Sequence, residues 1–176
     1  MKEREYIKWF EDLTSDDVAQ VGGKNASLGE MIQNLKEKGI NVPEGYATTA
    51  EAYREYIRSN ELESSIRDQV KKYQDGETSL EETGETIRKL FLNGEFPEDL
   101  DEQIRGSYRE LRERYGVENL LCAVRSSATA EDLPYASFAG QQESFLNVSG
   151  EEDIVAACKE CYASLFTDRA ITYREE

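Results

Sequence analysis

Apolar residues recur along the chain at spacings that predict several helices. Between Leu28 and Leu35 they fall at positions i, i+3, i+4 and i+7, which is one face of a helix. Thr49 is a suitable N-cap for a second helix. The polar and charged section from about residue 61 to 115 predicts three more helices, separated by glycine and proline. A last helical spacing of apolar residues begins at Ile154.

Short apolar runs between these helices predict a few strands. They lie at Tyr6–Phe10, at Tyr46–Thr48, near residue 121 and near residue 145. The run Leu120–Val124 is apolar without alternation, which is typical of a strand buried on both faces. A few strands among many helices predict the α+β class, with a small sheet and several packed helices.

The charge of the chain narrows the range of partners. Its 37 acidic residues outnumber its 21 basic ones, giving a net charge of -16. Binding to nucleic acid or to an anionic membrane surface requires a basic face, so we predict neither partner. The sequence shows neither a run of about 20 apolar residues nor the apolar region of a signal peptide at its start. We therefore expect a soluble cytoplasmic protein, with 176 residues forming one domain or one large lobe.

Histidine and cysteine usage limits the chemistry further. The chain has no histidine, which excludes a histidine base, a phosphohistidine and a histidine metal ligand within it. Of its three cysteines, Cys158 and Cys161 fall on the apolar face of a predicted helix, so we interpret them as core residues. We predict no metal site in this chain.

The GGKN sequence at residues 22–25 lies directly before the first long helix. Glycines let the backbone turn its N–H groups toward one point, and the helix start adds partial positive charge, so the segment with Lys24 suits an anion. It is not a Walker A loop, because the earlier glycine and the Ser or Thr after the lysine are missing. Taken alone, this pattern more often describes a flexible turn with a solvated lysine.

Arg125 lies at the predicted end of a strand, a place where ligands of α/β folds often bind. Its planar guanidinium suits phosphate oxygens, although a surface salt bridge is the alternative in so acidic a chain. Ser126 and Ser127 either bond phosphate or finish the turn. The small-residue segment Ser137–Ser144 either lays backbone N–H groups over a phosphate chain or connects two strands of a hairpin.

Each of these three motifs is a weak signal by itself, and the combination is stronger. A lysine, an arginine fork and a loop of backbone donors supply what a triphosphate requires: a point charge, paired hydrogen bonds and N–H groups. We therefore predict a polyphosphate ligand.

Three strings, VGGKNASLGEM (21–31), VRSSATAEDLP (124–134) and SFAGQQESFLNV (137–148), resemble the N-terminal nucleotide-binding domain of the phosphoenolpyruvate synthase (pyruvate, water dikinase) family. Pyruvate phosphate dikinase and rifampin phosphotransferase share this ATP-grasp-like domain type. The resemblance extends over essentially the whole chain. It implies a domain that binds MgATP and passes a phosphoryl group to a histidine on a separate swivelling domain, which later phosphorylates pyruvate on a third domain.

The resemblance also implies roles for four residues. Lys24 would contact the ATP phosphates, and Arg125 would neutralise charge on the transferring group, which makes it the expected catalytic residue. Gly140 lies in the loop that covers the phosphates in the family. Ser144 stands where the family usually has a threonine that contacts ATP, and it keeps the hydroxyl.

The resemblance further implies that residues 1–176 are the first lobe of the domain only. The second lobe, with the adenine contacts and the carboxylate that holds Mg²⁺, is absent, as are the phosphohistidine and pyruvate domains. The ending inside a predicted helix favours a truncated piece. We expect the full enzyme to convert ATP, pyruvate and water to phosphoenolpyruvate, AMP and phosphate, and this chain alone to lack turnover. Two alternatives stay open: a non-catalytic interaction or regulatory module, and the ATP-binding lobe of a rifampin phosphotransferase-like enzyme.

Overall fold

The elements of the fold come from a computed structural model, which describes residues 5–127, 132–133, 136–137, 143–168 and 171. The helices in these ranges are α1 Val18–Val21, α2 Gly23–Lys36, α3 Ala50–Ser59, α4 Leu62–Gln74, α5 Leu80–Asn93, α6 Glu98–Tyr115 and α7 Glu151–Ala163. The strands are β1 Ile7–Trp9, β2 Tyr46–Thr48, β3 Cys122–Arg125, β4 Asp132–Leu133, β5 Ala136–Ser137 and β6 Ser144–Val148. The α+β class is confirmed, and none of the helices in these ranges is long and apolar enough to cross a membrane.

The described strands pair two by two, and every pair is antiparallel: β1 with β2, β3 with β6, and β4 with β5. The four predicted strand regions are all present. The register of the β3–β6 pair shifts between Cys122 and Val124, and the extra residue falls on β6, where Asn147 adopts a φ of 59°. A bulge of this kind bends the pair, and asparagine tolerates the left-handed conformation that it needs. The short β4–β5 pair lies between β3 and β6 and is not among the predicted strand regions.

The three helices predicted in the polar section over residues 61–115 are confirmed as α4, α5 and α6. Ser79 and Glu82 form a capping box that starts α5, and Gly116 ends α6 with a φ of 64°. The buried face of α6 consists of Leu100, Ile104, Tyr108 and Leu111.

Aromatic side chains from several helices form the centre of the main core. Tyr56 on α3 lies 6.1 Å from the parallel ring of Phe91 on α5 and 5.5 Å from the ring of Tyr162 on α7. The side chain of Tyr56 is fully buried, so its hydroxyl requires a partner, and it donates a 2.5 Å hydrogen bond to the Phe91 carbonyl. These helices are therefore joined both by ring packing and by a satisfied buried polar group.

The middle of α2 packs very closely on the N-terminal segment. A Cβ atom on Gly29 would lie 2.5 Å from the Leu13 Cβ and 2.6 Å from the Leu13 carbonyl oxygen. Leu13 itself is fully buried, with Val21, Ala26 and Ala47, in a second and smaller core cluster. Only a glycine at position 29 allows this approach, so the backbone of α2 is held directly against the chain before α1.

The hydroxyl of Tyr108 connects α6 to one end of the β3–β6 pair, where β3 begins and β6 ends. It donates to the Leu120 carbonyl at 3.0 Å, just before β3, and accepts from the Gly150 N–H at 2.9 Å, just after β6. The Ser149 hydroxyl lies 3.3 Å away. The tyrosine is 1% exposed, so water does not replace these bonds. This buried hydroxyl therefore fixes the base of the two strands to the helical core.

Replacing Tyr108 by phenylalanine should lower the free energy of unfolding by about 1 to 3 kcal/mol, because two partly buried backbone groups lose their partner. Urea unfolding followed by circular dichroism would measure the change. Tyr115→Phe is the matched control, since that hydroxyl makes an exposed hydrogen bond to the Glu44 N–H and its loss should cost little. Equal effects of the two substitutions would contradict the role given to Tyr108.

The cysteines of α7 belong to the core, as predicted. Cys161 is buried and Cys158 packs against the main cluster, as does Cys122 of β3. Burial disfavours the charged thiolate and raises the pKa of Cys158 and of Cys161 to about 12. A raised pKa in the folded state means that these thiols favour folding below the unfolded value of about 8.5, and that this contribution declines as the pH rises toward 12.

We expect all three native thiols to react slowly with iodoacetamide at pH 8.5, and Cys158 and Cys161 at least about 100-fold more slowly than in urea, because the thiolate is the nucleophile. Intact-mass measurements over time would count the modified groups. Ser64→Cys, which places a thiol on the exposed face of α4, is a matched positive control. Alkylation of Cys161 in the folded protein at the rate of this control would show that the thiol is not buried.

Candidate functional site

The first turn of α2 lies against the chain that leaves β3. The backbone N–H of Asn25 donates a hydrogen bond of 3.3 Å to the Oγ atom of Ser127, which follows β3 by two residues. The GGKN segment and the arginine-serine segment are about 100 residues apart in sequence. The structure therefore brings together two of the three motifs, which lie far apart in the sequence.

Gly22 stands at the N-cap position of α2, with a φ of 82° and a ψ of 160°. The helix begins at Gly23, so the predicted flexible loop before the helix is wrong: Lys24 lies within the first helical turn. A glycine has no side-chain oxygen to cap the first N–H groups, and Ser127 supplies the missing hydroxyl from another part of the chain. The Asn25 side chain adds a 2.9 Å hydrogen bond to the Val21 carbonyl, which joins α1 to α2.

Lys24 and Arg125 are both exposed, and both lie close to the contact between Asn25 and Ser127. Lys24 is the neighbour of Asn25, and Arg125 precedes Ser127 by two residues, about 7 Å along an extended chain. The backbones of the two cations are thus separated by on the order of 10 to 15 Å, and both side chains are long. The positive end of the α2 dipole lies at the same place, so the local field favours an anion.

Arg125 and Ser144 are direct partners in the antiparallel register of β3 and β6. Paired residues project from the same face of a sheet, so the guanidinium and the hydroxyl share the outward face. Within the described residues, no carboxylate forms an ion pair with Arg125, and the surface salt bridge considered as an alternative is not observed there. Ser144 is also exposed.

The expectation that β3 is buried on both faces is wrong. Cys122 and Val124 face the core, whereas Ala123 and Arg125 are exposed, and Leu121 and Leu146 beside them are 63% and 64% exposed. The cause is that α7 covers one face of the β3–β6 pair, and no described element covers the other. Arg125 therefore lies at the end of an open face that is apolar along most of its length.

Gly140, the fourth predicted site residue, lies outside the described residues. The nearest described parts of its segment are β5 and the start of β6, which shows that the chain between β3 and β6 includes a short strand pair. In the described ranges there is no group of three or more His, Cys, Asp or Glu side chains arranged to hold a metal ion.

Residues 18–176 match the family model described as pyruvate phosphate dikinase, AMP/ATP-binding domain. The chain belongs to this family.

Relatives of this pyruvate phosphate dikinase-type domain include three bacterial phosphoenolpyruvate synthases. The chain is 48% identical to that of Aquifex aeolicus (strain VF5) over 179 residues, which cover 99% of this chain and 20% of the relative. It is 51% identical to that of Synechocystis sp. (strain ATCC 27184 / PCC 6803 / Kazusa), covering 98% and 22%. For Escherichia coli (strain K12) the identity is 47%, covering 96% and 21%. The chain thus spans about a fifth of the length of the curated relatives it matches.

Two residues of this AMP/ATP-binding domain have a role that sequence reasoning missed. Ser127 was considered as a phosphate ligand or a turn residue, and in the structure it caps α2. Gly22 was expected to give flexibility, and in the structure it permits a close contact with Ser127. The available signal was a glycine at the N-cap position instead of Ser, Thr, Asp or Asn, which leaves the cap to be supplied from elsewhere.

Proposed function

We propose that this chain is the first, phosphate-binding lobe of an ATP-grasp-like domain in a phosphoenolpyruvate synthase-type phosphotransferase. The observation that carries the proposal is the Asn25–Ser127 hydrogen bond, which places the helix start with Lys24 beside the strand end with Arg125. Membership of the AMP/ATP-binding domain family supplies the ligand class. The relatives named phosphoenolpyruvate synthase support phosphoenolpyruvate as the product of the complete enzyme.

Each site residue has a distinct part in this proposal. Lys24 contributes a point charge and the first turn of α2 contributes backbone N–H groups to the ATP phosphates. Arg125 contacts the transferring phosphoryl group and stabilises its charge electrostatically, which is the main requirement of phosphoryl transfer. The Ser144 hydroxyl donates to a phosphate oxygen beside Arg125. Gly140 belongs to the loop that covers the phosphates.

The rest of the reaction requires parts that these residues do not provide. The described residues include no suitable metal cluster, so we assign the Mg²⁺ ligands and the adenine contacts to a second lobe. Phosphoryl transfer to a histidine and then to pyruvate needs further domains, since this chain has no histidine. The complete enzyme would convert ATP, pyruvate and water to phosphoenolpyruvate, AMP and phosphate, while this chain alone would bind nucleotide weakly and not turn it over.

Titrating MgATP into isotope-labelled protein should shift backbone amide resonances around residues 22–25, at Arg125 and at Ser144. Lys24→Ala and Arg125→Ala should each weaken binding by about 10-fold or more, because a charge-assisted hydrogen bond contributes about 1.5 to 3 kcal/mol. Both side chains are exposed, so the fold should be unchanged.

Lys36→Ala, at the other end of α2, and Arg67→Ala, on α4, are matched controls that remove an exposed charge of the same kind. They should leave the affinity nearly unchanged. An unfolded Lys24→Ala or Arg125→Ala variant would make that residue structural, and an unchanged spectrum at millimolar MgATP would mean that this lobe does not bind nucleotide by itself.

The open face of the β3–β6 pair favours a second candidate function, binding to another protein chain. Leu121 and Leu146 are each more than 60% exposed on this face, and contiguous apolar surface usually marks a contact site. In this role the lobe would act as an interaction or regulatory module, with the apolar face as its contact. The relatives compared above are phosphoenolpyruvate synthases, and no observation favours an antibiotic acceptor such as rifampin.

If the apolar face binds protein, the isolated chain should associate with itself at high concentration. Light scattering after size exclusion should give a mass that rises with concentration, and Leu146→Asn should return it to that of a monomer. Leu92→Asn, which changes an exposed leucine on α5, is the matched control. A monomeric mass at every concentration would remove the support for this second function.

A further inference from the structure

We infer that Ser127 and Gly22 are positioning residues, whose contact sets the distance and angle between the start of α2 and the end of β3. That the ligand is a phosphate rests on the proposed function, but the geometry of the contact between Ser127 and Gly22 does not. Neither residue is assigned a bond to ATP. Their effect on a phosphate ligand would act through Lys24 on one side and Arg125 on the other.

A hydrogen bond joins the first turn of α2 to the end of β3. The first turn of every helix has N–H groups without an intrahelical acceptor, and an N-cap side chain normally satisfies one of them. Gly22 cannot do so, and the Ser127 hydroxyl accepts from Asn25 instead. Because this cap comes from the strand end, α2 loses a bond whenever the two segments separate. A local cap would stabilise the helix without fixing its place.

Gly22 and Ser127 also approach each other very closely. A Cβ atom on Gly22 would lie 2.5 Å from the Ser127 carbonyl oxygen and 2.7 Å from its carbonyl carbon, and it would also meet the Oγ atom. Two of these atoms are backbone, so a rotamer change does not relieve the clash. Any larger residue must push the helix start away by on the order of 1 Å, a distance that matters for a site in which charged groups converge on one ligand.

Position 22 requires glycine for two separate reasons: its backbone conformation and the lack of room for a Cβ atom. Gly22 has a φ of 82°, which disfavours any side chain. Gly39 has a similar φ of 72°, with no atom within 4 Å of the position that its Cβ would take. Gly39→Ala therefore carries the backbone strain alone, and Gly22→Ala carries the strain and the displacement. The chain thus contains its own control for separating the two effects.

Whether Ser127 and Gly22 hold the start of α2 in place can be tested without nucleotide. Ser127→Ala should raise the hydrogen-exchange rate of the Asn25 amide at least 10-fold, measured by NMR on isotope-labelled protein. Ser79→Ala is the control, because it removes the N-cap of a different helix, α5. It should leave the exchange rate of the Asn25 amide unchanged. Residual dipolar couplings should show α2 rotated relative to β3 and β6 in Gly22→Ala, and not in Gly39→Ala.

The functional part is tested by combining substitutions in a MgATP titration. In the unmodified chain and in Gly39→Ala, adding Lys24→Ala should weaken binding about 10-fold or more. In Gly22→Ala the same addition should weaken it less than threefold, because a displaced Lys24 no longer contacts the phosphates. A change that only destabilises the fold would not alter this ratio at a temperature where every variant is folded.

An unchanged exchange rate of Asn25 in Ser127→Ala, together with an unchanged orientation of α2 in Gly22→Ala, would overturn the inference. An equal effect of Lys24→Ala in the two glycine backgrounds would also overturn it. If the unmodified chain binds no MgATP, the proposed function fails for this lobe, and the exchange rate and the dipolar couplings still decide whether the two residues hold α2 in place.

Discussion

The open β3–β6 pair depends on attachment at both of its ends, and the buried hydroxyl of Tyr108 provides the first. A pair of short strands is barely stable in water by itself, so its position must come from tertiary bonds. Tyr108 holds the chain just before β3 and just after β6, and α7 covers the inner face. At the other end, Ser127 bonds to the start of α2. The two candidate phosphate-binding segments, the start of α2 and the end of β3, are therefore both attached to one helical core.

Arg125 differs from the arginines of α6 in what surrounds it. Arg105 pairs with Asp101 and Glu152, and these partners raise the pKa of its guanidinium. Arg114 pairs with Glu11 and also stacks 3.9 Å from the Trp9 ring. Such arginines join elements to each other and have their charge balanced. Arg125 makes no ion pair with the described carboxylates, so in a chain of net charge -16 its field is directed to solvent, where an anion is attracted.

Local sequence signals predicted the helices and strands well, because caps and apolar spacing act over a few residues. Glycine and proline at positions 76, 94, 97 and 116 divided the polar section into three helices. The burial of β3 was predicted wrongly, since an apolar run records which residues avoid water and not how many elements cover them. Ser127 was missed for a related reason: its partner Asn25 lies about 100 residues away, and no local pattern specifies a contact over that distance.

Under the proposed function, the placement of Arg125 and Ser144 on an open face predicts weak phosphate binding by this chain alone. Exposed groups lose more side-chain entropy on binding, and water screens their charges, so each contact to a phosphate contributes less than in a closed cleft. The same face continues into Leu121 and Leu146, whose exposure costs free energy until another surface covers them. A covering lobe would exclude water from the apolar residues and from the arginine together. Closure over this face would thus strengthen the phosphate contacts through the same burial that stabilises the lobe.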